Sequence, residues 1–113
     1  MSIRHIEPGL RLSSAVVHGD KVYLAGYVAD KAAGGSVAEQ TADILAQIDE
    51  TLAEAGTDKR KLLKVNIWLT DIATIGEMNR EWDKWVVPGR TPARATVEAK
   101  LADPQWRTIR NTV

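Results

Sequence analysis

The chain has 113 residues, about the length of one domain, and its 15 Lys+Arg balance its 15 Asp+Glu. A net charge of zero argues against nucleic-acid binding and gives no electrostatic reason for membrane attachment. There is no cysteine, which excludes disulfides, a cysteine nucleophile and a thiolate metal site. No run approaches the ~20 apolar residues that a membrane span needs, and the N-terminus lacks the apolar centre of a signal peptide. We expect one cytoplasmic domain over residues 1–113.

The first elements predicted along the chain are two strands joined by a tight turn. An amphipathic stretch over residues 11–18 runs into His18-Gly19-Asp20, and residues 22–28 then alternate between two faces. A short glycine-containing turn between such stretches is typical of an antiparallel hairpin. The faces of the second strand are formed by Val22, Leu24, Gly26 and Val28 on one side, and by Lys21, Tyr23, Ala25 and Tyr27 on the other.

Two helices are predicted next, with a strand between them. Ser36 and Glu39 have the spacing of a capping box, apolar residues then recur at helical spacing, and Gly56 is a suitable helix end. Thr74 and Glu77 predict a similar start for the second helix, which ends at Pro88-Gly89. The apolar stripe of the second helix consists of Ile75, Met78, Trp82, Trp85 and Val86.

Two further strands are predicted over residues 62–70 and 92–101, because both stretches alternate with period two. Residues 106–113 are the candidate for a final strand. The order strand, strand, helix, strand, helix, strand, strand predicts an α+β fold in which both helices cover one face of a sheet. The helix-free face is predicted to carry Tyr23, Tyr27, Asn66, Trp68, Arg94, Thr96 and Glu98. Such a face is too polar for a core and too aromatic for plain solvent, so we expect another subunit to cover it; a solvent face with scattered aromatics is the alternative.

Three segments of the sequence resemble one known family. The first is GDKVYLAGYV over residues 19–28. The second joins a helix of the form EQT…L..ID..L..AG to KVNIWLTD over residues 64–71. The third joins MNREW over residues 78–82 to PARATVE over residues 92–98. Together they resemble the RidA/YjgF family, also called the enamine/imine deaminase or endoribonuclease L-PSP family, and within it the YoaB-like branch.

The resemblance implies a chorismate-mutase-like fold that assembles as a homotrimer, with ligand sites in the three clefts between subunits. Active members take small 2-imino acids or 2-aminoacrylate: water adds to the C=N carbon, and ammonia leaves to give the 2-ketoacid. Such a site needs a cationic group for the substrate carboxylate, backbone groups for the imine nitrogen, and a carboxylate that activates water. We expect neither a metal nor a cofactor, since His5 and His18 are the only histidines and stand in no ligand motif.

The resemblance assigns substrate binding to five residues. Arg94 matches the arginine of the P-x-R motif and can hold a carboxylate with two parallel hydrogen bonds. A structural interface arginine, paired with Glu98 or with an acid of another subunit, is the alternative. Thr96 matches the position whose backbone carbonyl accepts a hydrogen bond from the substrate nitrogen. Asn79 matches the family's helix asparagine, although a helix cap or a packing contact would also explain it.

Gly26 and Tyr27 complete the predicted binding residues. Gly26 matches the glycine of a Ser-Gly-Gln-like motif, where a ligand can approach the backbone closely; a strand bulge is the alternative. Tyr27 stands where a glutamine is usual, and Ala25 where a serine is usual, so polar contacts of the motif are lost. We expect Tyr27 to narrow the cleft or to supply a new hydrogen bond.

The C-terminal segment departs furthest from the family. Its last strand usually carries a Glu that activates water, and that position falls on Thr108, while no Asp or Glu follows Asp103. A threonine hydroxyl can orient water but is a poor base, and loss of a general base costs about 10²–10⁴-fold in rate. Glu98 is expected to share a strand face with Arg94 and is the candidate replacement. The sequence therefore leaves two functions open, a slow imine deaminase and a non-catalytic carboxylate-binding or chaperone-like trimer.

Other ligand classes have little support in the sequence. Gly34-Gly35-Ser36 precedes a helix, where anions can bind, but the motif lacks the lysine and spacing of a phosphate loop and is interpreted as a helix cap. The basic patch over residues 58–61 has no interleaved aromatic residues that could stack on nucleic-acid bases.

Overall fold

The computed structural model describes residues 2–106 and the backbone of residues 108–112, and within these the chain forms six strands and two α-helices. Two single-turn 3₁₀ helices, Lys59–Lys61 and Ile72–Thr74, lie on either side of the strand that separates the two α-helices. The predicted α+β class is confirmed. The elements in chain order are β1 Ile3–Pro8, β2 Ser13–His18, β3 Lys21–Leu24, α1 Val37–Glu54, β4 Lys64–Leu69, α2 Ile75–Trp85, β5 Ala93–Glu98 and β6 Thr108–Thr112.

The strands form two three-stranded sheets. The first is antiparallel in the order β1-β2-β3, and its predicted hairpin turns at Gly19, which has a φ of 63°. In the second, of order β5-β4-β6, β4 pairs in parallel with β5 and antiparallel with β6. Sequence reasoning missed β1, because only Ile6 of this strand is buried and no alternation is visible.

Helix α1 begins as the sequence predicts. The Ser36 side chain accepts a hydrogen bond from the Glu39 amide, and the Glu39 carboxylate accepts one from the Ser36 amide, which completes the capping box. The Ser36 amide holds the pKa of Glu39 below its usual value. Gly56 follows the helix with a φ of 81°, a conformation that glycine adopts without strain.

The start of helix α2 differs from the predicted capping box. Thr74 makes no side-chain cap, and its hydroxyl instead donates to the Asp71 carbonyl at 2.6 Å. The Glu77 carboxylate accepts a hydrogen bond from the Ala38 amide in the first turn of α1 at 3.0 Å. Glu77 therefore joins the two helices, because the unpaired amides at the start of α1 attract a carboxylate more strongly than the local alternative.

Both helices cover the same side of the strands and form one core with them. Its fully buried members include Ile44 and Ile48 of α1, Ile67 of β4 and Met78 of α2. The apolar stripe predicted for α2 is confirmed, and its Trp82 and Trp85 rings lie 5.6 Å apart. Among the described residues, no helix is long and apolar enough to span a membrane.

The two faces of β5 are the reverse of the sequence prediction: the side chains expected on the helix-free side lie on the helix side. Residues that pair across neighbouring strands share a face, and Arg94, Thr96 and Glu98 pair with the core residues Val65, Ile67 and Leu69. The three polar side chains therefore lie on the helix side, and Ala93, Ala95 and Val97 lie on the helix-free side. Alternation defines two sets of residues, but the parallel pairing with β4 decides which set faces the helices.

The helix-free face is consequently more apolar than predicted. It carries Ile3, Tyr23 and Val97, which are 58%, 43% and 49% exposed. Asn66 and Trp68 are half-buried on the same face of β4. Several large apolar side chains thus share one broad surface of the strands, opposite the two helices.

Candidate active site

Arg94 lies on the outer strand of the second sheet, where helix α2 passes over it. Its Nη1 atom donates a 2.7 Å hydrogen bond to Asn79 Oδ1, and its Cζ atom lies 5.4 Å from the centre of the Trp82 ring. Asn79 and Trp82 are three residues apart and share one face of α2. The fold thus brings two of the predicted binding residues, Arg94 and Asn79, into direct contact.

The contacts of the Arg94 guanidinium are with uncharged groups. Among the residues described, no carboxylate forms an ion pair with it. The Glu98 Oε1 atom accepts a hydrogen bond from the Ile72 amide at 3.0 Å instead. The alternative of an Arg94–Glu98 pair is therefore wrong for the described chain, and the half-buried guanidinium can still bind a carboxylate.

Backbone groups beside Arg94 are also available for binding. The Ala93 and Ala99 amides donate to the carbonyls of Leu63 and Leu69, so the odd-numbered residues of β5 direct their backbone groups to β4. The backbone groups of Arg94, Thr96 and Glu98 consequently point to the free edge of the sheet, where no described strand pairs with them. The Thr96 carbonyl lies at this edge, and the Thr96 hydroxyl is buried without a hydrogen-bond partner among the described residues.

Tyr27 lies on the helix side, not on the face predicted for it. Strand β3 ends at Leu24, which breaks the alternation that placed Tyr27 with Tyr23. The Tyr27 hydroxyl donates to the Ser14 carbonyl or to the Thr51 hydroxyl, at 3.1 and 2.9 Å, beneath helix α1. Burial raises the pKa of Tyr27 above its usual value. Gly26 just before it is exposed, and its backbone stays accessible.

Side chains of helix α1 form hydrogen bonds with the backbone of residues 28–32, the segment that follows Tyr27. The Gln47 amide donates to the Val28 carbonyl at 3.0 Å, and the Asp43 carboxylate accepts from the Asp30 and Ala32 amides at 2.7 and 2.9 Å. Burial pushes the pKa of Asp43 upward, but these amide hydrogen bonds and one from Gln47 outweigh it, so its pKa is below the usual value.

We expect Asp43→Asn to lower the free energy of unfolding at pH 7 by about 1 kcal/mol, because charge-assisted hydrogen bonds to the loop are replaced by weaker ones. A carboxyl whose pKa is lowered by folding stabilises the fold above its unfolded pKa, 3.8, and loses that effect as the pH falls through the folded pKa. The difference between variant and wild type in urea unfolding should therefore shrink below pH 4. Asp83→Asn, an exposed carboxylate on α2, is the control; an equal effect from it would contradict the argument.

The two predicted catalytic residues lie on either side of the same residue of the central strand, β4. Glu98 of β5 and Thr108 of β6 both pair with Leu69 of β4, from opposite sides. The Thr108 side chain lies outside the described part of the structure. A cleft of about 790 Å³ adjoins Glu98 and is lined by the segment 98–104 together with Thr70 and Trp106.

Gln40 anchors the segment that leads from β5 to β6. Its buried side-chain amide donates to the Gly35 and Gln105 carbonyls at 3.0 and 2.8 Å. This contact joins the start of α1 to the chain just before β6. Among the described residues, no group of three His, Cys, Asp or Glu could hold a metal ion.

Trp82 is the site residue that sequence reasoning missed. Its helical spacing predicts a place in the core stripe of α2, and the side chain is 5% exposed. Its spacing of three residues from Asn79 was the available signal, since residues at i and i+3 share a helix face. The distance to Arg94 depends on the packing of α2 over β5, which the sequence does not show.

Comparison with known proteins identifies the family. The model of the family described as endoribonuclease L-PSP matches residues 2–108, so the chain belongs to that family. It is 41% identical to a RutC family protein of Haemophilus influenzae over 95% of this chain and 92% of that one. The RutC family protein YoaB of Escherichia coli is 38% identical over the same shares. A crystal structure of a YjgF family member from Neisseria meningitidis superposes with a TM-score of 0.95, at 47% identity, and covers 99% of this chain and 92% of that one.

Proposed function

We propose that the protein is a cytoplasmic homotrimer that binds small 2-imino and 2-ketoacids in clefts between its subunits and slowly hydrolyses the imino acids. The observation that carries the proposal is the half-buried Arg94 guanidinium, which is held by Asn79 and Trp82 and has no carboxylate partner among the described residues. A guanidinium offers two parallel hydrogen bonds to a ligand carboxylate.

The helix-free face supports the trimer. Exposed apolar side chains from both sheets share this face, and they would be removed from water by a partner surface. The outer edge of β5 has no strand partner among the described residues, and we propose that a neighbouring subunit lies along this edge, next to Arg94. A ligand cleft walled by two subunits follows from this arrangement.

The proposed reaction uses few groups. Arg94 binds the substrate carboxylate, the Thr96 carbonyl accepts a hydrogen bond from the imine N–H, and the Gly26 backbone lines the cleft. Water adds to the C=N carbon as the nitrogen gains a proton, and the tetrahedral intermediate then loses ammonia to give the 2-ketoacid. Glu98 and Thr108 are the groups proposed to orient the attacking water. Glu98 Oε1 already accepts from the Ile72 amide, so catalysis by this carboxylate is expected to be slow.

A non-catalytic carboxylate-binding or chaperone-like trimer is the second candidate. It is favoured by the absence of any Asp or Glu after Asp103, where the resemblance places the water-activating Glu. This function keeps the role of Arg94 and removes the hydrolytic step.

The decay of imino acids made in solution distinguishes the two functions. A dehydratase acting on threonine or serine releases 2-iminobutanoate or 2-iminopropanoate, whose loss can be followed with and without this protein. We expect faster decay with the protein, and we expect Glu98→Gln to reduce the acceleration. Decay at the uncatalysed rate, combined with thermal stabilisation by 2-ketobutyrate, would instead establish the non-catalytic binder. If the protein neither accelerates the decay nor is stabilised by 2-ketobutyrate, both functions are contradicted.

A further inference from the structure

Two uncharged groups hold the Arg94 side chain. Asn79 Oδ1 accepts its hydrogen bond at 2.7 Å, and the Trp82 ring lies 5.4 Å from the guanidinium carbon. An amide oxygen and an aromatic face both attract a cation, yet neither carries a formal charge. They restrict where the guanidinium lies without neutralising it.

Three acidic residues of α2 and β5, the two elements that carry this site, have other partners. Glu98 accepts from the Ile72 amide, Glu77 accepts from the Ala38 amide, and Glu81 pairs with Lys84 at 2.9 Å. Fully buried arginines usually have an acidic partner, because removing a lone charge from water is costly, and partial burial carries part of that cost. A carboxylate in place of Asn79 would meet that need from within the chain and would compete with an external anion.

We propose that Asn79 and Trp82 are positioning residues that keep the charge of Arg94 available to a ligand, and that the neutral amide at position 79 makes an external carboxylate the partner of Arg94. The inference rests on the proposed function for the identity of the ligand. It changes the role of Asn79 from direct substrate contact to orientation of Arg94, since the Asn79 carbonyl oxygen already accepts from the guanidinium.

Asn79→Asp tests the neutral amide, because the two side chains have nearly the same shape. The new carboxylate should pair with Arg94, so the affinity for 2-ketobutyrate should fall about 10-fold or more while the melting temperature stays level or rises. Arg80→Gln changes the net charge by the same amount at an exposed position of α2 and should leave the affinity unchanged. A purely structural role for Asn79 predicts no loss of affinity in a variant of undiminished stability, and that result would overturn the proposal.

Trp82→Phe and Trp85→Phe form a matched pair on the same helix. Both remove a mostly buried indole, but only Trp82 faces Arg94, whereas Lys59 lies over the Trp85 ring at 5.2 Å. We expect the Trp82 variant to bind 2-ketobutyrate several-fold more weakly and the Trp85 variant to bind it as the wild type does. Equal affinities in the two variants would overturn the assignment of Trp82.

Arginine side-chain NMR tests the arrangement without any ligand. A guanidinium held by Asn79 and Trp82 rotates slowly, so we expect separate Nη proton signals for Arg94, slower rotation in Asn79→Asp and faster rotation in Trp82→Phe. The same free rotation in all three proteins would overturn the inference. Slow rotation in a wild type that binds no 2-ketobutyrate would leave the inference standing and contradict the proposed function.

Discussion

Arg94→Ala is expected to abolish measurable binding of 2-ketobutyrate, with an affinity loss of about 100-fold or more. Two charge-assisted hydrogen bonds would be lost, and hydrogen bonds to charged groups contribute about 1.5–3 kcal/mol each. Any acceleration of imine decay should disappear with the binding. Calorimetric titration and the imine assay measure the two effects. Arg94 lies at the surface edge of β5 and is not a member of the apolar core, so the variant should remain folded.

Arg94→Lys is the informative control for this variant. Lysine keeps the positive charge but cannot form two parallel hydrogen bonds in one plane, so we expect an intermediate affinity. Full affinity in Arg94→Lys would mean that only the charge matters. Unchanged affinity in Arg94→Ala would show that the carboxylate binds elsewhere, and the site assignment would be wrong.

Val97→Asp is expected to convert the proposed trimer into monomers. Val97 is 49% exposed on the helix-free face, and a carboxylate buried in an interface there would lack a partner. Sedimentation should change from about three times the chain mass to a mass near 12.4 kDa. Because the imine site is proposed between subunits, activity and 2-ketobutyrate binding should fall with the loss of assembly.

Leu63→Asp is the matched control for the interface variant. Leu63 is also an exposed apolar residue, at 61%, but it lines a cavity on the helix side together with Leu52 and Ala55 of the α1 end. We expect this variant to remain a trimer. A wild-type mass near 12.4 kDa would contradict the trimer itself, and equal dissociation by both variants would show that the effect is not specific to the helix-free face.

Local features of the fold were predictable because their causes lie close together in the sequence. The Ser36–Glu39 capping box, the glycine end of α1 and the Gly19 hairpin each involve residues within a few positions of one another. The apolar stripe of α2 likewise follows from helical spacing alone. The chemistry available to the site was also visible, since Arg94 was singled out by its residue type and motif.

The partners of the site residues were not predictable in the same way. Asn79 and Arg94 were both proposed as substrate contacts, and their mutual hydrogen bond joins two elements separated by a loop. The sequence predicts that Glu98 replaces the missing base, but its carboxylate accepts a hydrogen bond from the Ile72 amide in the 3₁₀ turn that follows β4. Such contacts depend on how α2 and the 3₁₀ turn pack over β5.

The sequence by itself determined the α+β class, the positions of both helices and the family, because periodicity, capping and motifs are local properties of the chain. Only the tertiary structure decided the orientation of β5 and the place of Tyr27. Alternation divides the residues of β5 into a polar set and an apolar set. It does not show which of the two sets faces the helices. The pairing with β4 decides which set faces the helices, and Asn79 and Trp82 give Arg94 its partners on that side.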